Sequence, residues 1–267
     1  MSKSATPPTF ASIAAKLAGY AAEQAKALPA ARVRLAKPLQ APAAAVGGQA
    51  PKPGAAKAPG AATVDSILGL DQVPGAGKSP KPPYAGTLDA FKVQISECER
   101  CPLGSRRKHL VFGAGDPTAE LVFVGEAPGP EDDLLGQPFS GSSGQLLDRI
   151  VAAMGYKRSQ VYLCNVVKCR PQSKQVPTPA ELAACRPYLE HQLSLLKPQA
   201  LVALGPLAAA MLLDSAEPLP KLRGKWGQWQ GLPVMPTFHP LELLADPGLK
   251  RHVWDDMKLV MQKVRPQ

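Results

Sequence analysis

The chain has 267 residues and carries 31 lysines and arginines against 21 aspartates and glutamates, a formal net charge of +10. Residues 1–85 hold ten basic and three acidic residues in a background of alanine, proline and glycine, so +7 of that charge lies there. Such a composition cannot bury enough apolar surface to offset the entropy of ordering the chain. We therefore predict a disordered, Ala/Pro-rich basic tail over 1–85 and a single globular domain over 86–267.

The sequence offers no segment suited to crossing a membrane. The apolar run from Leu201 to Leu213 has 13 residues, whereas a membrane-spanning helix needs about 20. The apolar-leaning stretch from Phe10 to Ala22 is interrupted by Lys16, which argues against a signal peptide. We expect a soluble, cytoplasmic, monomeric protein. A basic start with few acidic residues also suits an organelle transit peptide, so that alternative stays open.

The basic tail has two interpretations. A flexible cationic segment raises the rate of encounter with polyanions such as DNA without conferring sequence specificity. A solubilising linker explains the same composition equally well. The sequence does not identify a partner for the tail.

The globular part alternates predicted helices with predicted strands. This alternation indicates a parallel sheet with helices on both faces, and hence a three-layer α/β/α fold with a four-stranded parallel sheet. The segment from Gly125 to Asp133 is predicted as a loop. The predicted strands are 119–125, 160–166, 199–204 and 232–238, and the predicted helices are 87–97, 142–154, 178–196, a helix ending at Leu213, and 247–264. Thr87 is predicted to cap the first helix incompletely, and Thr178 with Glu181 to form a capping box at the start of the third.

Polar side chains follow several of the predicted strands at the point where each strand ends. Glu126 and Ala127 follow the first strand, Asn165 ends the second, and His239 follows the fourth. Ligands of open α/β sheets bind outside the carboxyl ends of the strands. A carboxylate, an amide and an imidazole are therefore expected to converge there and form an active site.

Four cysteines have the spacing of a metal site. Cys98 and Cys101 are separated by two residues, which lets both thiolates face one centre, and Cys169 and Cys185 are separated by 15. Four thiolates suit a tetrahedral zinc or an iron–sulfur cluster, and spacing alone does not choose between them. Unrelated core thiols or two disulfides are the alternatives. The fifth cysteine, Cys164, lies in an apolar strand and is interpreted as a buried structural thiol.

Several short motifs follow one another in the globular part, together with the four cysteines. They are Gly125-Glu126-Ala127-Pro128-Gly129, Glu131-Asp132, Gly136-x-Pro138-Phe139-x-Gly141, Asn165-Val166-Val167-Lys168-Cys169-Arg170-Pro171 and Thr237-Phe238-His239-Pro240. In this order they resemble the family 4 uracil-DNA glycosylases, bacterial and archaeal enzymes that carry a 4Fe–4S cluster. The resemblance covers roughly residues 88–264 and leaves the tail uncovered.

The resemblance implies an enzyme that hydrolyses the N-glycosidic bond of uracil in DNA and starts base excision repair. It also implies a 4Fe–4S cluster on the four cysteines and uracil-containing DNA as the substrate. The chain has no evident nucleophilic lysine in the predicted pocket, so we expect a monofunctional glycosylase without a lyase step. A non-catalytic DNA-damage-binding module with a structural metal cluster is the alternative, and a zinc protein of unrelated function is a second.

The resemblance assigns base recognition to Asn165 and Phe139. Asn165 would accept from uracil N3–H and donate to O4, a pattern that cytosine does not offer. Without the resemblance, an asparagine that stabilises a strand-end turn is the alternative. Phe139 would stack on the base, which adds binding affinity without selecting one base over another.

The resemblance assigns the chemistry to His239, Glu126 and Asp132. His239 would donate to uracil O2 as negative charge develops there. Ala127 occupies the position at which the best-known uracil glycosylases carry the aspartate that orients water. We therefore expect Asp132 to polarise the water and Glu126 to form a pocket wall near uracil C5. The alternative is that Glu126 holds the water.

Three positions depart from the family pattern. Lys174 stands where the family usually has an asparagine attributed to catalysis or sugar positioning, and Ala245 stands where the family usually has an arginine. Glu242 adds a negative charge close to where DNA is expected to lie. These departures put the phosphate contacts near the flipped base in doubt, with Lys250 and Arg251 as candidate substitutes.

Overall fold

A computed structural model of the protein describes residues 83–172, 176–215 and 217–264. The predicted tail lies outside the described residues apart from its last three, and the departure at Lys174 lies outside them too. Tyr84 and Ala85, which the sequence analysis placed in the tail, contact the domain. The Tyr84 ring lies 5.3 Å from that of Phe91, and the Ala85 N–H donates to Gln94 Oε1 at 2.8 Å.

The described residues alternate between strands and helices in the predicted order. Short 3₁₀ turns at Arg158–Gln160 and Pro247–Leu249 precede β3 and α8. The strands are β1 (Ala114–Gly115), β2 (Leu121–Gly125), β3 (Tyr162–Asn165), β4 (Ala200–Leu204), β5 (Gly227–Trp229) and β6 (Leu232–Thr237). The helices are α1 (Leu88–Gln94), α2 (Pro130–Leu135), α3 (Ser142–Ala153), α4 (Pro179–Leu196), α5 (Pro206–Leu213), α6 (Leu219–Leu222), α7 (Pro240–Ala245) and α8 (Lys250–Lys263).

The strands form one six-stranded sheet in the order β1-β3-β2-β4-β6-β5. The four predicted strands make its parallel centre, β3-β2-β4-β6, which confirms the predicted fold class. The very short strands β1 and β5 add antiparallel edges that the sequence analysis missed. All positions of β2, β3 and β4 are buried, so helices and loops cover both faces of the sheet.

The helix starts follow from side-chain caps that the sequence shows. Thr87 Oγ1 accepts from the Ala90 N–H at 3.3 Å and begins α1. At the start of α4, the Thr178 N–H donates to Glu181 Oε2 at 2.7 Å while Thr178 Oγ1 accepts from the Glu181 N–H at 3.3 Å. This reciprocal pair satisfies two N–H groups that the helix itself leaves free. Both predicted caps are therefore confirmed.

Helix α2 begins inside the segment from Gly125 to Asp133 that was predicted as a loop, and that prediction was wrong. Pro130 fits the first helical position because it needs no donor there. The Asp132 carboxylate accepts from the Gly129 N–H at 3.0 Å and closes the first turn. Gly136 ends the helix in the left-handed region, at φ 68°, where a glycine carries no steric penalty.

Within the described residues, none of the helices has both the length and the apolar character that crossing a membrane requires.

Candidate active site and metal centre

The carboxyl ends of the parallel strands meet at one edge of the sheet, as predicted. Gly125 at the end of β2 pairs in register with Asn165 at the end of β3. Leu204 at the end of β4 pairs with Thr237 at the end of β6, two residues before His239. The predicted polar residues are thereby carried to the same edge by neighbouring strands.

Asn165, the only asparagine of the chain, is 1% exposed at the floor of this edge. Its side-chain Nδ2 has no hydrogen-bond partner, and it is the only buried side-chain nitrogen or oxygen of the described residues in that condition. An unpaired buried N–H group costs about 1–3 kcal/mol. The Asn165 Nδ2 group can therefore donate a hydrogen bond to an acceptor atom of a bound ligand.

Gly125 makes room for Asn165 and Phe139 to approach each other. A Cβ on Gly125 would collide with Asn165 Oδ1 and would stand 2.6 Å from Phe139 Cζ. Any side chain here would therefore push the amide and the aromatic ring apart. The structure brings together the two residues that the sequence analysis assigned to base recognition.

Phe139 is held in an unusual conformation beside His239. Its φ of 55° lies in the left-handed region, which disfavours a residue with a bulky side chain. Helix α3 fixes this conformation, because a Cβ on Gly144 would collide with the Phe139 carbonyl. The Phe139 and His239 rings lie 5.8 Å apart with 26° between their planes. Backbone strain of this kind clusters at ligand sites.

The hydrogen bonds of His239 define which ring nitrogen carries its proton. His239 caps α7, and its Nδ1 accepts from the Leu241 N–H at 3.1 Å. Burial lowers the pKa of the imidazole to about 4, so it is neutral at physiological pH. A neutral imidazole with Nδ1 as acceptor carries its proton on Nε2. His239 therefore offers one N–H donor to the edge of the sheet.

The Glu126 carboxylate points toward the amino end of α5. Its Oε1 accepts from the Leu207 N–H at 2.8 Å, and it lies against Gly205, which in turn lies against His239. Burial raises the pKa of Glu126 to about 7; the Leu207 N–H opposes this rise and the nearby Glu242 carboxylate adds to it. Glu126 thus gains or loses its proton near neutral pH, the range in which catalytic acids and bases of enzymes commonly titrate.

Asp132 fixes the loop that carries Phe139. Besides the Gly129 N–H, its carboxylate accepts from the Ser140 N–H at 2.7 Å. Both oxygens therefore hold backbone, while each keeps a second lone pair for another donor. Ala127 is half-buried and packs against the core beside Glu126. Glu242, expected to disturb DNA, accepts from the His239 N–H at 2.8 Å and completes the cap of α7.

Cys98, Cys101, Cys169 and Cys185 line one cavity, which confirms that the two pairs come together in the fold. In the described residues, no group of three or more His, Cys, Asp or Glu converges closely enough for a single metal ion. Four thiols arranged around a cavity suit a multi-atom cluster better than one tetrahedral ion, whose ligands meet at about 2.3 Å from a point.

Hydrogen-bond donors surround these sulfur atoms. The Lys168 N–H donates to Cys185 Sγ at 3.3 Å, and Arg107 Nη1 donates to Cys169 Sγ at 3.5 Å. Cys98 Sγ lies 3.3 Å from Tyr188 Oη. Donors aimed at sulfur stabilise thiolates and tune iron–sulfur clusters. The donor set and its surroundings therefore fit a thiolate-bound cluster, and all four cysteines are free of disulfides.

The sequence analysis missed residues that hold the site from behind. Thr237 Oγ1 donates to the buried Asp256 carboxylate at 2.6 Å, and Arg223 donates to both oxygens of that carboxylate. This network anchors the strand end that leads to His239. Lys168, which the analysis noted only as part of a motif, is fully buried beneath Asn165. No local sequence pattern indicates these contacts, since Asp256 is 19 and 33 residues from its partners Thr237 and Arg223, and Lys168 is 24 residues from Gln192.

Comparison with known proteins agrees with this geometry. The model of the uracil DNA glycosylase superfamily matches residues 112–258. A type-4 uracil-DNA glycosylase of Thermotoga maritima is 41% identical over 175 residues, which cover 64% of this chain and 91% of that protein. A type-4 enzyme of Pyrobaculum aerophilum is 38% identical, with 64% and 92% covered. One of Sulfurisphaera tokodaii is 35% identical, with 66% and 84% covered. The resemblance stated from the motifs is thereby confirmed.

Proposed function

This chain belongs to the uracil DNA glycosylase superfamily, and we propose that it removes uracil from DNA by hydrolysing the N-glycosidic bond. The products are free uracil and an abasic site, with which base excision repair begins. The enzyme is monofunctional. The unpaired, buried Nδ2 of Asn165 is the observation that carries this proposal, because it supplies a donor that no protein group of the described residues satisfies.

Base recognition follows from the Asn165 amide. Nδ2 donates to uracil O4 and Oδ1 accepts from N3–H, and the Phe139 ring beside this amide provides the apolar surface against which a flipped base lies. Cytosine carries a donor in place of O4 and an acceptor in place of N3–H. It would leave buried groups unpaired in this amide orientation.

Bond cleavage relies on His239. The C1′–N1 electron pair leaves with the base, so negative charge accumulates on uracil O2 while the sugar becomes an oxocarbenium-like cation. His239 Nε2–H donates to O2 and stabilises this charge without transferring its proton, since the neutral imidazole has little tendency to become an anion. A donor placed where charge develops contributes about 3–4 kcal/mol.

The carboxylates act on the positive side of the reaction. Asp132 holds the Phe139 loop and polarises the attacking water, and Glu126, when ionised, stabilises the sugar cation by its charge and shapes the pocket wall. Water attacks C1′ and loses its proton to bulk solvent, and the departing uracil anion takes up a proton at N1. Ala127 contributes only apolar surface at the position beside Glu126.

Cys98, Cys101, Cys169 and Cys185 would hold a 4Fe–4S cluster. The raised pKa of Cys169, about 11, and of Cys185, about 12, reflects burial and shows that these thiols need a cationic partner to ionise. When bound, such a cluster cross-links the segments that bear the cysteines and adds buried negative charge. The hydrolysis itself requires no electron transfer.

Uracil release from labelled, uracil-containing DNA by anaerobically purified protein tests the proposal. Asn165→Asp removes the donor to O4, and we expect kcat/KM for uracil to fall at least about tenfold, because an unmatched buried group costs about 1–3 kcal/mol. Gln228→Glu, an exposed amide-to-carboxylate change on the edge strand β5, is the matched control. DNA binding without any uracil release by the wild-type protein would favour the damage-binding module instead.

A further inference from the structure

Lys168 places a charged group in the interior between the cysteines and the base-reading asparagine. Its side chain is 1% exposed. Nζ donates to the Asn165 carbonyl at 2.9 Å and to Gln192 Oε1 at 2.6 Å. The first bond closes the turn after β3, so the ammonium holds the backbone of the residue whose side chain faces the pocket.

Among the described residues, no carboxylate forms an ion pair with Lys168, and both acceptors of its Nζ are neutral. An isolated buried charge is strongly unfavourable and calls for a partner of opposite charge close by. The protein chain described here does not supply that partner as a salt bridge.

The cysteine cavity borders Lys168 and is a place where an opposite charge would bind. Lys168 lines the same cavity as the four cysteines, precedes Cys169 in the chain, and donates its backbone N–H to Cys185 Sγ. Four thiolates around an iron–sulfur core carry a net negative charge. The ammonium therefore lies where a bound cluster would balance it.

Gln192 fixes the other side of the ammonium. It is fully buried on α4, the helix that also bears Cys185, and its Nε2 donates to the Phe112 carbonyl at 3.0 Å and to Tyr162 Oη at 3.1 Å. These two bonds orient Oε1 toward Lys168. The position of Nζ is thus determined from two sides, by Gln192 on α4 and by the turn after β3.

We propose that Lys168 is a positioning residue that couples the cysteine-bound cluster to base recognition, by holding the Asn165 backbone with an ammonium whose counter-charge is the cluster. This inference rests on the proposed function. Loss of the cluster leaves the ammonium unbalanced, the turn after β3 relaxes, and the Asn165 amide loses its orientation toward the base. The cluster thereby contributes to uracil recognition without contacting DNA.

Lys168→Met keeps the length and apolar volume of the side chain and removes the charge and the donor. We expect holo protein of this variant to lose iron to a chelator faster than wild type, and kcat/KM for uracil to fall about tenfold or more. Lys168→Arg retains the charge and is expected to restore most of the iron retention. Lys157→Met, an exposed lysine at the end of the α3–β3 connection, is the matched control.

The single asparagine provides a readout that does not depend on catalysis. Selective ¹⁵N labelling of asparagine gives one side-chain amide signal, from Asn165, whose shift on adding free uracil reports base recognition. We expect a smaller shift in Lys168→Met holo protein than in wild type, and in wild type after removal of the cluster. The wild-type comparison involves no substitution, so it stands even if the variant folds poorly.

The outcomes separate this inference from the proposed function. Wild-type protein without uracil release or without bound iron would refute the proposed function itself. If wild type releases uracil and binds iron while Lys168→Met matches it in iron retention, kinetics and amide shift, only the coupling through Lys168 is refuted. An unchanged Asn165 signal after cluster removal from folded wild-type protein refutes it as well.

Discussion

The Glu126 carboxylate and the His239 side chain both lie against a single glycine, Gly205. A Cβ on Gly205 would stand 2.6 Å from Glu126 Oε1 and 3.2 Å from His239 Cβ. Gly205 follows β4, so it separates the ends of β2 and β6 in the sheet order, and its φ of 95° is one that other residues rarely adopt. Gly205 therefore forms part of the pocket wall next to both the Glu126 carboxylate and the His239 side chain.

Glu126→Gln should change the pH dependence of stability. The pKa of Glu126 is about 7 in the folded protein against about 4.5 for an ordinary glutamate, mainly through burial. Its contribution to stability is therefore complete below about pH 4.5 and is lost as the pH rises through about 7. Glutamine can still accept from the Leu207 N–H and does not ionise. Relative to wild type, the variant should gain up to about 3 kcal/mol in free energy of unfolding between pH 5 and pH 8.5.

Denaturant unfolding at several pH values measures this gain. The exposed Glu97→Gln, in the turn that follows α1, serves as the control and should show no comparable trend. A constant difference between wild type and Glu126→Gln across this range would mean that Glu126 ionises in the folded state as an ordinary surface carboxylate does.

His239→Ala should slow the chemical step more than it weakens DNA binding. The Nε2–H donor acts on charge that appears only in the transition state, so kcat should fall by roughly a hundredfold while KM changes little. Because the pKa of His239 is about 4, the wild-type rate should show no limb near pH 6.5 from this residue. Single-turnover uracil release and DNA affinity, measured separately, distinguish the two effects.

The exposed His252→Ala is the matched control for this substitution, since it removes an imidazole from α8 that lies beside Phe238 and is not one of the proposed pocket residues. A parallel loss of DNA affinity with an intact single-turnover rate in His239→Ala would make His239 a DNA contact rather than the donor to O2.

Apolar strands and helix caps explain how much of the fold was predictable. The buried runs of β2 and β4 and the capping box at Thr178 are local patterns, and all were recognised from sequence. Helix α2 was missed because Gly129-Pro130 is typical of a loop, although the same pair can begin a helix. The two-residue strand β1 exists only because β3 offers it an edge, which no local pattern encodes.

The residues of the candidate site also fall into two groups, those recognisable from local sequence and those that depend on tertiary contacts. Asn165 and His239 stand out because polar residues directly follow apolar strands. The interaction of Lys168 with Gln192 joins residues that are 24 positions apart. The hydrogen bond from the His239 N–H to Glu242 gives a structural role to a residue that the sequence singled out only for its charge. Such assignments require the tertiary contacts.

Replacement of single cysteines should separate cluster ligands from the core thiol. Cys98→Ser, Cys101→Ser, Cys169→Ser and Cys185→Ser should each lower the iron and sulfide content and the stability of the purified protein. Cys164→Ser should keep the cluster, because Cys164 is buried within β3 and does not line the cysteine cavity. Full iron content in any of the first four, or its loss in the fifth, would overturn the ligand assignment.

Removal of residues 1–82 should weaken non-specific DNA binding without changing the chemistry. This cut keeps Tyr84 and Ala85, which contact α1 and α4, and removes the ten basic and three acidic residues of the tail. Each phosphate contact adds about 0.7–0.9 to the slope of log affinity against log salt, so the slope should become shallower. Single-turnover uracil release at saturating protein should stay the same, because none of the proposed pocket residues lies in the removed segment.

A control variant keeps the full-length chain and replaces the ten basic tail residues by glutamine. It separates the effect of tail charge from the effect of tail length on DNA binding. It should show the same shallow slope as the truncated protein, since the proposed effect comes from charge alone. If both retain the wild-type slope, the tail is a linker or docks onto another partner. Loss of uracil release on truncation would instead show that the catalytic domain extends into residues 1–82.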